Sequence, residues 1–238
     1  MKSLFNKNIK FFPTDRITDL VVNFAKPAFT TVPEWYKNTN QFFDANYLQV
    51  SNGVTNGTVK RCTPFLDALT SGYSVVLSED VIVDWVEENI PKISWRSSRK
   101  VVTDHSLTQI GNLPAPFGHH RRVFKWEQAI FVELPPGYSL LCTHPINRFD
   151  LPFQTITGVV DADKYQVPVH FPFFLREGWS GVIEAGTPIA QILPFKRDNW
   201  KSSQEKFDEE LVLKGNYKLS SRLVRSYKSQ FWSKKTYQ

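Results

Sequence analysis

Fifteen prolines spread along 238 residues constrain this chain more than any other feature. Each fixes φ and removes an amide donor, so long helices are excluded and any central strand must fit between two such breaks. Between the breaks lie short apolar runs bounded by Gly, Pro, Asn and Asp. They include Ser74–Leu77, Val81–Val83, Ala129–Val132, Tyr138–Leu141, Gly158–Val160, Val167–Phe174, Gly181–Glu184 and Ile189–Pro194. Pro135-Pro136-Gly137 joins two of them as strand, turn and strand. Aromatics make up 14% of the residues, with nineteen Phe and seven Trp against a single Met. Stiff, flat side chains suit sheets better than helical bundles. The pattern predicts a mostly-β fold, a sandwich or barrel on jelly-roll lines with peripheral helices.

The pattern divides the chain into three stretches. Residues 1–58 form an aromatic arm in which Thr31 as N-cap, Pro33 in the first turn and Glu34 predict a short helix over Pro33–Thr39. There Trp35 and Tyr36 or Phe42 pack on the core. Asn56-Gly57 reads as a tight turn between strands. Residues 59–195 form the β core, and residues 196–238 a basic helical extension. In that extension 201–213 is helix-compatible, and Leu219, Leu223, Val224, Tyr227 and Phe231 give 217–232 a helical spacing. The net charge of +6 concentrates at its end: Lys214, Lys218, Arg222, Arg225, Lys228, Lys234 and Lys235 occur with no acidic residue among them. Such a segment is either a solvated face or a contact for nucleic acid or an acidic partner. Cys62 and Cys142 form no CxxC pair and read as two buried free thiols. No run reaches the ~20 apolar residues of a membrane helix, and Met1–Phe12 offers no signal-peptide core. No membrane partner and an intracellular setting are expected.

Four stretches in order resemble the motifs of the dUTPase and dCTP-deaminase superfamily. Thr70-Ser71-Gly72-Tyr73-Ser74-Val75-Val76-Leu77-Ser78-Glu79-Asp80 is similar to the first, Leu134-Pro135-Pro136-Gly137-Tyr138 to the turn leading into the second, and Gly158-Val159-Val160-Asp161-Ala162-Asp163-Lys164-Tyr165 to the third. Ile183–Leu193, with Ile189-Ala190-Gln191, resembles the fourth. The resemblance covers about Val59–Phe195, with an insertion at about 85–128. It implies a dUTPase-like β-barrel or jelly-roll core and a homotrimer with sites between chains. Pro33-Glu34-Trp35-Tyr36-Lys37 and Pro194-Phe195-Lys196-Arg197 also resemble a family met largely in tailed phages and some bacteria, which implies residence in host cytoplasm or virion.

In that superfamily the third-motif Asp activates a water, a first-motif Asp helps place Mg²⁺, and a second-motif Arg-Ser donates to phosphate. Here Ser74 replaces the first carboxylate. The second motif reads His144-Pro145-Ile146-Asn147-Arg148-Phe149, Lys164 is inserted before Tyr165, and no glycine-rich tail follows Phe195. One extra strand residue reverses the following side chains unless a bulge absorbs it. Asp161 is the catalytic candidate, and it also reads as a turn-forming Asp. Tyr165, Gln191, Arg148, His119 and Arg121 are ligand-binding candidates, with Gln191 reading equally as a buried amide tying strands. Adjacent His119 and His120 point to opposite faces of a strand. His170 with His144 and one histidine of the insertion is the conceivable metal set, and no spacing demands it.

Scaffold kept and polar chemistry lost predict a non-enzymatic structural or partner-binding protein of phage type. The alternative is a nucleotide-binding protein or phosphohydrolase using Asp161. No cofactor is expected under the first reading and Mg²⁺ only under the second. The partner expected is the chain itself, as a trimer or symmetric array, with nucleic acid or an acidic partner on Lys214, Lys218, Arg222, Arg225 and Lys228.

Overall fold

A computed structural model describes residues 7–14, 24–51, 54–86, 90–128, 130–220 and 226–238, with backbone only for 219, 220 and 226. The fold is mostly β. It divides into two compact units, one of Met1–Pro33, Leu69–Arg197 and Tyr237–Gln238, the other of Glu34–Ala68 and Asp198–Thr236.

The first unit carries β1 (Lys10–Pro13), β2 (Ala25–Pro27), β5 (Tyr73–Val76), β6 (Val81–Val86), β7 (Ile90–Ser94), β8 (Val102–Asp104), β9 (His119–Trp126) and β10 (Ile130–Glu133). It continues with β11 (Tyr138–Thr143), β12 (Phe153–Thr155), β13 (Gly158–Val160), β14 (Phe171–Arg176), β15 (Gly181–Ile183) and β16 (Pro188–Lys196). The short β3 (Val50–Ser51) and β4 (Val54–Thr55) belong to the second unit. Its helices are α1 (Glu34–Asn38), α4 (Glu209–Ser220) and α5 (Ser226–Gln230), while α2 (Thr63–Thr70) runs to the first unit, which alone holds α3 (Leu107–Ile110).

Three sheets build the first unit's core, ordered β13-β11-β16-β5-β2, β12-β14-β9-β8 and β15-β6-β7, with β1-β10 as a separate pair. Every pairing among them is antiparallel. Sequence explains the layering. In β6 the alternation of Val81, Ile82, Val83 and Asp84 puts the valines inside and Ile82 and Asp84 outside, as one buried face requires. In β5 and the first half of β16 every residue is buried, so those strands are apolar but for Ser74 and Gln191, each of which is hydrogen-bonded. Their buried faces join one cluster in which the Trp126 ring stacks on Phe173 at 4.0 Å and meets Phe153 edge-on at 5.2 Å. Residues 85–128 supply β7, β8 and β9, and β9 lies inside its sheet between β14 and β8.

Pro135-Pro136-Gly137 makes its turn by Tyr138 donating to the Pro135 carbonyl at 3.3 Å, with Gly137 at φ +86°. Proline followed by glycine there is the type II arrangement.

In the second unit several expectations are corrected. The helix over 33–39 forms as Glu34–Asn38, but Thr31 does not cap it: its hydroxyl donates to the Ala28 carbonyl at 3.0 Å and meets Ser74 Oγ at 2.7 Å, closing the 3-10 turn Ala28–Thr31 of the first unit. Tyr36 is buried and stacks on Phe65 at 5.9 Å, its ring covered by the Lys60 ammonium. The paired strands β3 and β4 flank Asn52-Gly53, which lies outside the described residues, and not Asn56-Gly57. Asn56 is occupied otherwise: its side chain accepts from the Gln49 amide at 2.8 Å and donates to the Tyr47 carbonyl at 3.1 Å, which holds the loop before β3. Cys142 is a buried free thiol, whereas Cys62 is free and exposed. The first helix of the extension runs from Glu209 to Ser220, beginning where the Asp208 carboxylate accepts the Leu211 amide at 2.9 Å and caps it, and of the expected 217–232 helix the described residues show 217–220 within α4 and Ser226–Gln230 as α5. Of the expected basic surface, Arg222 and Arg225 lie outside the described residues, as do Leu223 and Val224. Trp232 donates from Nε1 to Asp67 at 2.8 Å, and the ammonium groups of Lys228 and Lys235 each lie over its ring. No helix among the described residues is long and apolar enough to cross a membrane.

Candidate functional site

A cavity of about 850 Å³ in the first unit opens where β13 ends. The chain leaves β13 at Val160 and closes one helical turn, in which the Lys164 and Tyr165 amides both donate to the Asp161 carbonyl at 2.9 Å. Ala162 is drawn into the core. The inserted Lys164 therefore shifts no strand register: it completes an i to i+4 turn, and Asp161, Lys164 and Tyr165 line one cavity. Val159, Val160, Val169 and Pro172 give it apolar walls, while His105, Lys125 and His170 bring nitrogen atoms from β8, β9 and β14 or their ends.

Lys125 reaches the rim because β9 alternates. Phe124 and Trp126 point into the core, so Lys125 faces away, opposite Thr103 on β8 and Pro172 on β14. Its ammonium meets Glu127 Oε1 at 2.9 Å, and His170 Nδ1 meets Glu127 Oε2 at 3.0 Å. Burial raises the Glu127 pKa, but hydrogen bonds from the Thr103 hydroxyl and Lys125, with the nearby His170, outweigh it and leave it below the ordinary value. Burial lowers that of His170, and Lys125 and His105 add to this against the attraction of Glu127.

Asp161 is tied from its other side. Its Oδ1 accepts from the Ser139 hydroxyl at 2.6 Å and from Arg197 Nη1 at 3.1 Å. The same guanidinium binds Asp163, donating to Oδ1 at 2.9 Å and again to Oδ2, and it donates to the Tyr138 carbonyl at 2.9 Å. Asp163 also accepts the Gly137 amide at 2.8 Å. Hydrogen bonds from Arg197 first, then from Gly137, hold its carboxyl down at about 2. One arginine thus ties the Pro-Pro-Gly turn, the turn after β13 and the end of β16.

Of the sequence candidates, Asp161 and Tyr165 meet at the cavity, and the other four do not line it. Gln191 is buried, accepting the Ile146 amide at 2.9 Å and donating to the Ser71 carbonyl at 2.6 Å. Arg148 forms a two-point ion pair with Asp150, from Nε at 2.9 Å and Nη2 at 2.8 Å. His119 Nδ1 lies 3.1 Å from the Phe117 carbonyl, and Arg121 is exposed on β9. Lys125 was not among the candidates, and His105 entered only as one of the histidines of the insertion. Lys125 shows in the sequence only as a polar residue between Phe124 and Trp126, His105 has no such pattern, and the pairing of β8 with β9 that unites them has no local signature.

Among the described residues, no group of three or more His, Cys, Asp or Glu converges as a metal site. The donors around Asp161 do not fit a divalent cation. Ser74 is buried against Thr31, and Asp161 Oδ1 is already bonded to a fixed positive charge. His144 lies in the core, accepting the Thr155 amide on Nδ1 at 3.2 Å and facing the Arg148 carbonyl from Nε2 at 3.0 Å. Burial keeps its pKa below the ordinary 6.5.

That last shift carries a pH prediction. The unfolded chain takes up protons below about 6.5, where folded His144 and His170 resist them. The stability is therefore complete above that pH and declines as pH falls through it, before the carboxylates titrate. Thermal midpoints measured from about pH 8 to 5 should fall below pH 6.5, and His144→Gln should flatten that limb. A midpoint independent of pH over this range contradicts the assignment.

No family model matches this chain, and no curated protein matches it.

Proposed function

We propose that this chain is a non-catalytic binding protein built on a dUTPase-like scaffold. The observation that carries the reading is the bonding of Asp161. The one motif carboxylate retained at the water-activating position serves as an acceptor for Ser139 and Arg197, and so works as part of a strap between turns. A general base needs a lone pair aimed at the water it deprotonates, and Oδ1 is committed to the strap instead. The scaffold half of the reading is supported by adjacency: the strands following or carrying the third, second, fourth and first motif stretches are β13, β11, β16 and β5, neighbours in one sheet.

The test is turnover. Purified full-length chain with dUTP and Mg²⁺ should show no hydrolysis approaching the roughly 1 per second of ordinary enzymes. Turnover in that range, abolished by Asp161→Asn, overturns the proposal.

A second reading, that the cavity binds a nucleotide without hydrolysing it, is favoured by one observation: Lys125 and Lys164 share it with Tyr165 and apolar walls. Such a lining offers cations for phosphate and flat surfaces for a base. Calorimetric titration with dUMP and dUTP should then give binding that Lys164→Glu weakens at least tenfold. Absence of binding up to millimolar ligand removes this second reading and leaves the first.

A further inference from the structure

From the second unit we infer an interaction surface for a second copy of this chain: α4 pairs antiparallel with α4 of another molecule across a two-fold axis. The inference is independent of what the cavity holds. It begins from exposure. Trp200 is 89% exposed, Phe207 81%, Leu211 67%, Leu213 60% and Tyr217 75%, all within one segment and its helix. Monomers rarely leave such a run of large apolar side chains in water.

Two features select a second copy as the partner. The first is charge order along the helix. Glu209 and Glu210 open α4, and Lys214 and Lys218 follow toward its end. Laid against itself in reverse, the acidic start of one copy meets the basic end of the other. A parallel arrangement would set like charges side by side. Glu210, Leu213, Lys214 and Tyr217 fall on one face by their i, i+3, i+4, i+7 spacing and line a shared groove. The face therefore presents acid, apolar, base and apolar groups, which is complementary to its own reverse. A patch complementary to itself is the mark of a two-fold contact.

The second feature is area. A helix of twelve residues spans about 18 Å. Trp200, Phe207 and Tyr217 can each cover roughly 150–250 Å². With the leucines they make an exposed apolar surface of the order of the roughly 800 Å² per partner of a stable interface, Leu213 and Tyr217 on the α4 face itself and Trp200 and Phe207 in the segment that leads into it. Because the contact is two-fold, it pairs copies whatever symmetry the β unit adopts.

The experiment uses two full-length variants. In E209K/E210K α4 becomes basic throughout, and in K214E/K218E it becomes acidic throughout. Sedimentation equilibrium should show the parent as a reversible dimer or an assembly of dimers. Each variant alone should associate at least tenfold more weakly, and an equimolar mixture should return to the parent's affinity. Leu213→Ala with Tyr217→Ala, which leaves the charges in place, should also weaken association at least tenfold. Because rescue in the mixture requires opposite charges to meet, a helix merely frayed by substitution does not produce it. A parent that stays monomeric at about 100 µM, variants that associate like the parent, or a mixture no tighter than its components each overturn the inference.

Discussion

Gly72→Ala should destabilise the folded chain by about 2–5 kcal/mol. Gly72 sits at φ +72°, where an L side chain costs roughly 1–2 kcal/mol. An alanine Cβ there would lie 2.2 Å from the Ile192 carbonyl oxygen and 3.0 Å from Leu193 Cγ. The first neighbour is backbone, held in register against Tyr73, so relief requires β5 and β16 to part at their junction. Overpacking of this kind adds roughly 1–3 kcal/mol. The Gly72 carbonyl also receives the Ala28 amide at 3.0 Å, so displacement carries to the segment after β2. Urea denaturation should show a lowered midpoint at unchanged slope. A loss under about 1 kcal/mol contradicts the close approach.

Gln191→Ala should cost about 2–6 kcal/mol. The side chain is 2% exposed and joins two backbone groups from separate loops, the Ile146 amide and the Ser71 carbonyl. Truncation removes the partner of both, and each buried group left without one costs roughly 1–3 kcal/mol. The effect separates the two readings of this residue. An amide that serves a ligand would weaken binding with little change in stability, whereas an amide that ties strands lowers the unfolding midpoint with no ligand present. Gln191→Glu keeps the acceptor for Ile146 but loses the donor to Ser71, so it should fall short of the parent as well.

The mostly-β class was legible because turn chemistry is local. Gly72 and Gly137 need positive φ, and the proline pair presets a turn, wherever they occur in a chain. The errors arose where a residue with two uses took the tertiary one. Thr31 could cap a helix and instead bonds Ala28 and Ser74. Asn56 could enter a turn and instead bridges Gln49 and Tyr47. The start of α4 was misplaced because Asp208, a capping residue by type, stood in a run of similar polar residues. At the candidate site, Asp161 and Tyr165 were singled out through motif resemblance. Their meeting in one cavity depends on the turn that Lys164 completes. Lys125 and His105 reach the same place through strand pairing, which periodicity along one strand does not encode.

The arginine at the end of β16 has a consequence for synthesis on the ribosome. Asp161 and Asp163 emerge two residues apart, facing the turn before β11, and repel each other until Arg197 is made. The five-stranded sheet has the same gap, since β16 belongs between β11 and β5, and both precede it in the chain. Its centre therefore stays open through most of translation and closes when the last strand enters. A nascent chain stopped short of Arg197 holds two unpaired strand edges and an uncompensated pair of negative charges. It is a ready client for a holding chaperone or a protease, and release of the finished chain ends that exposure.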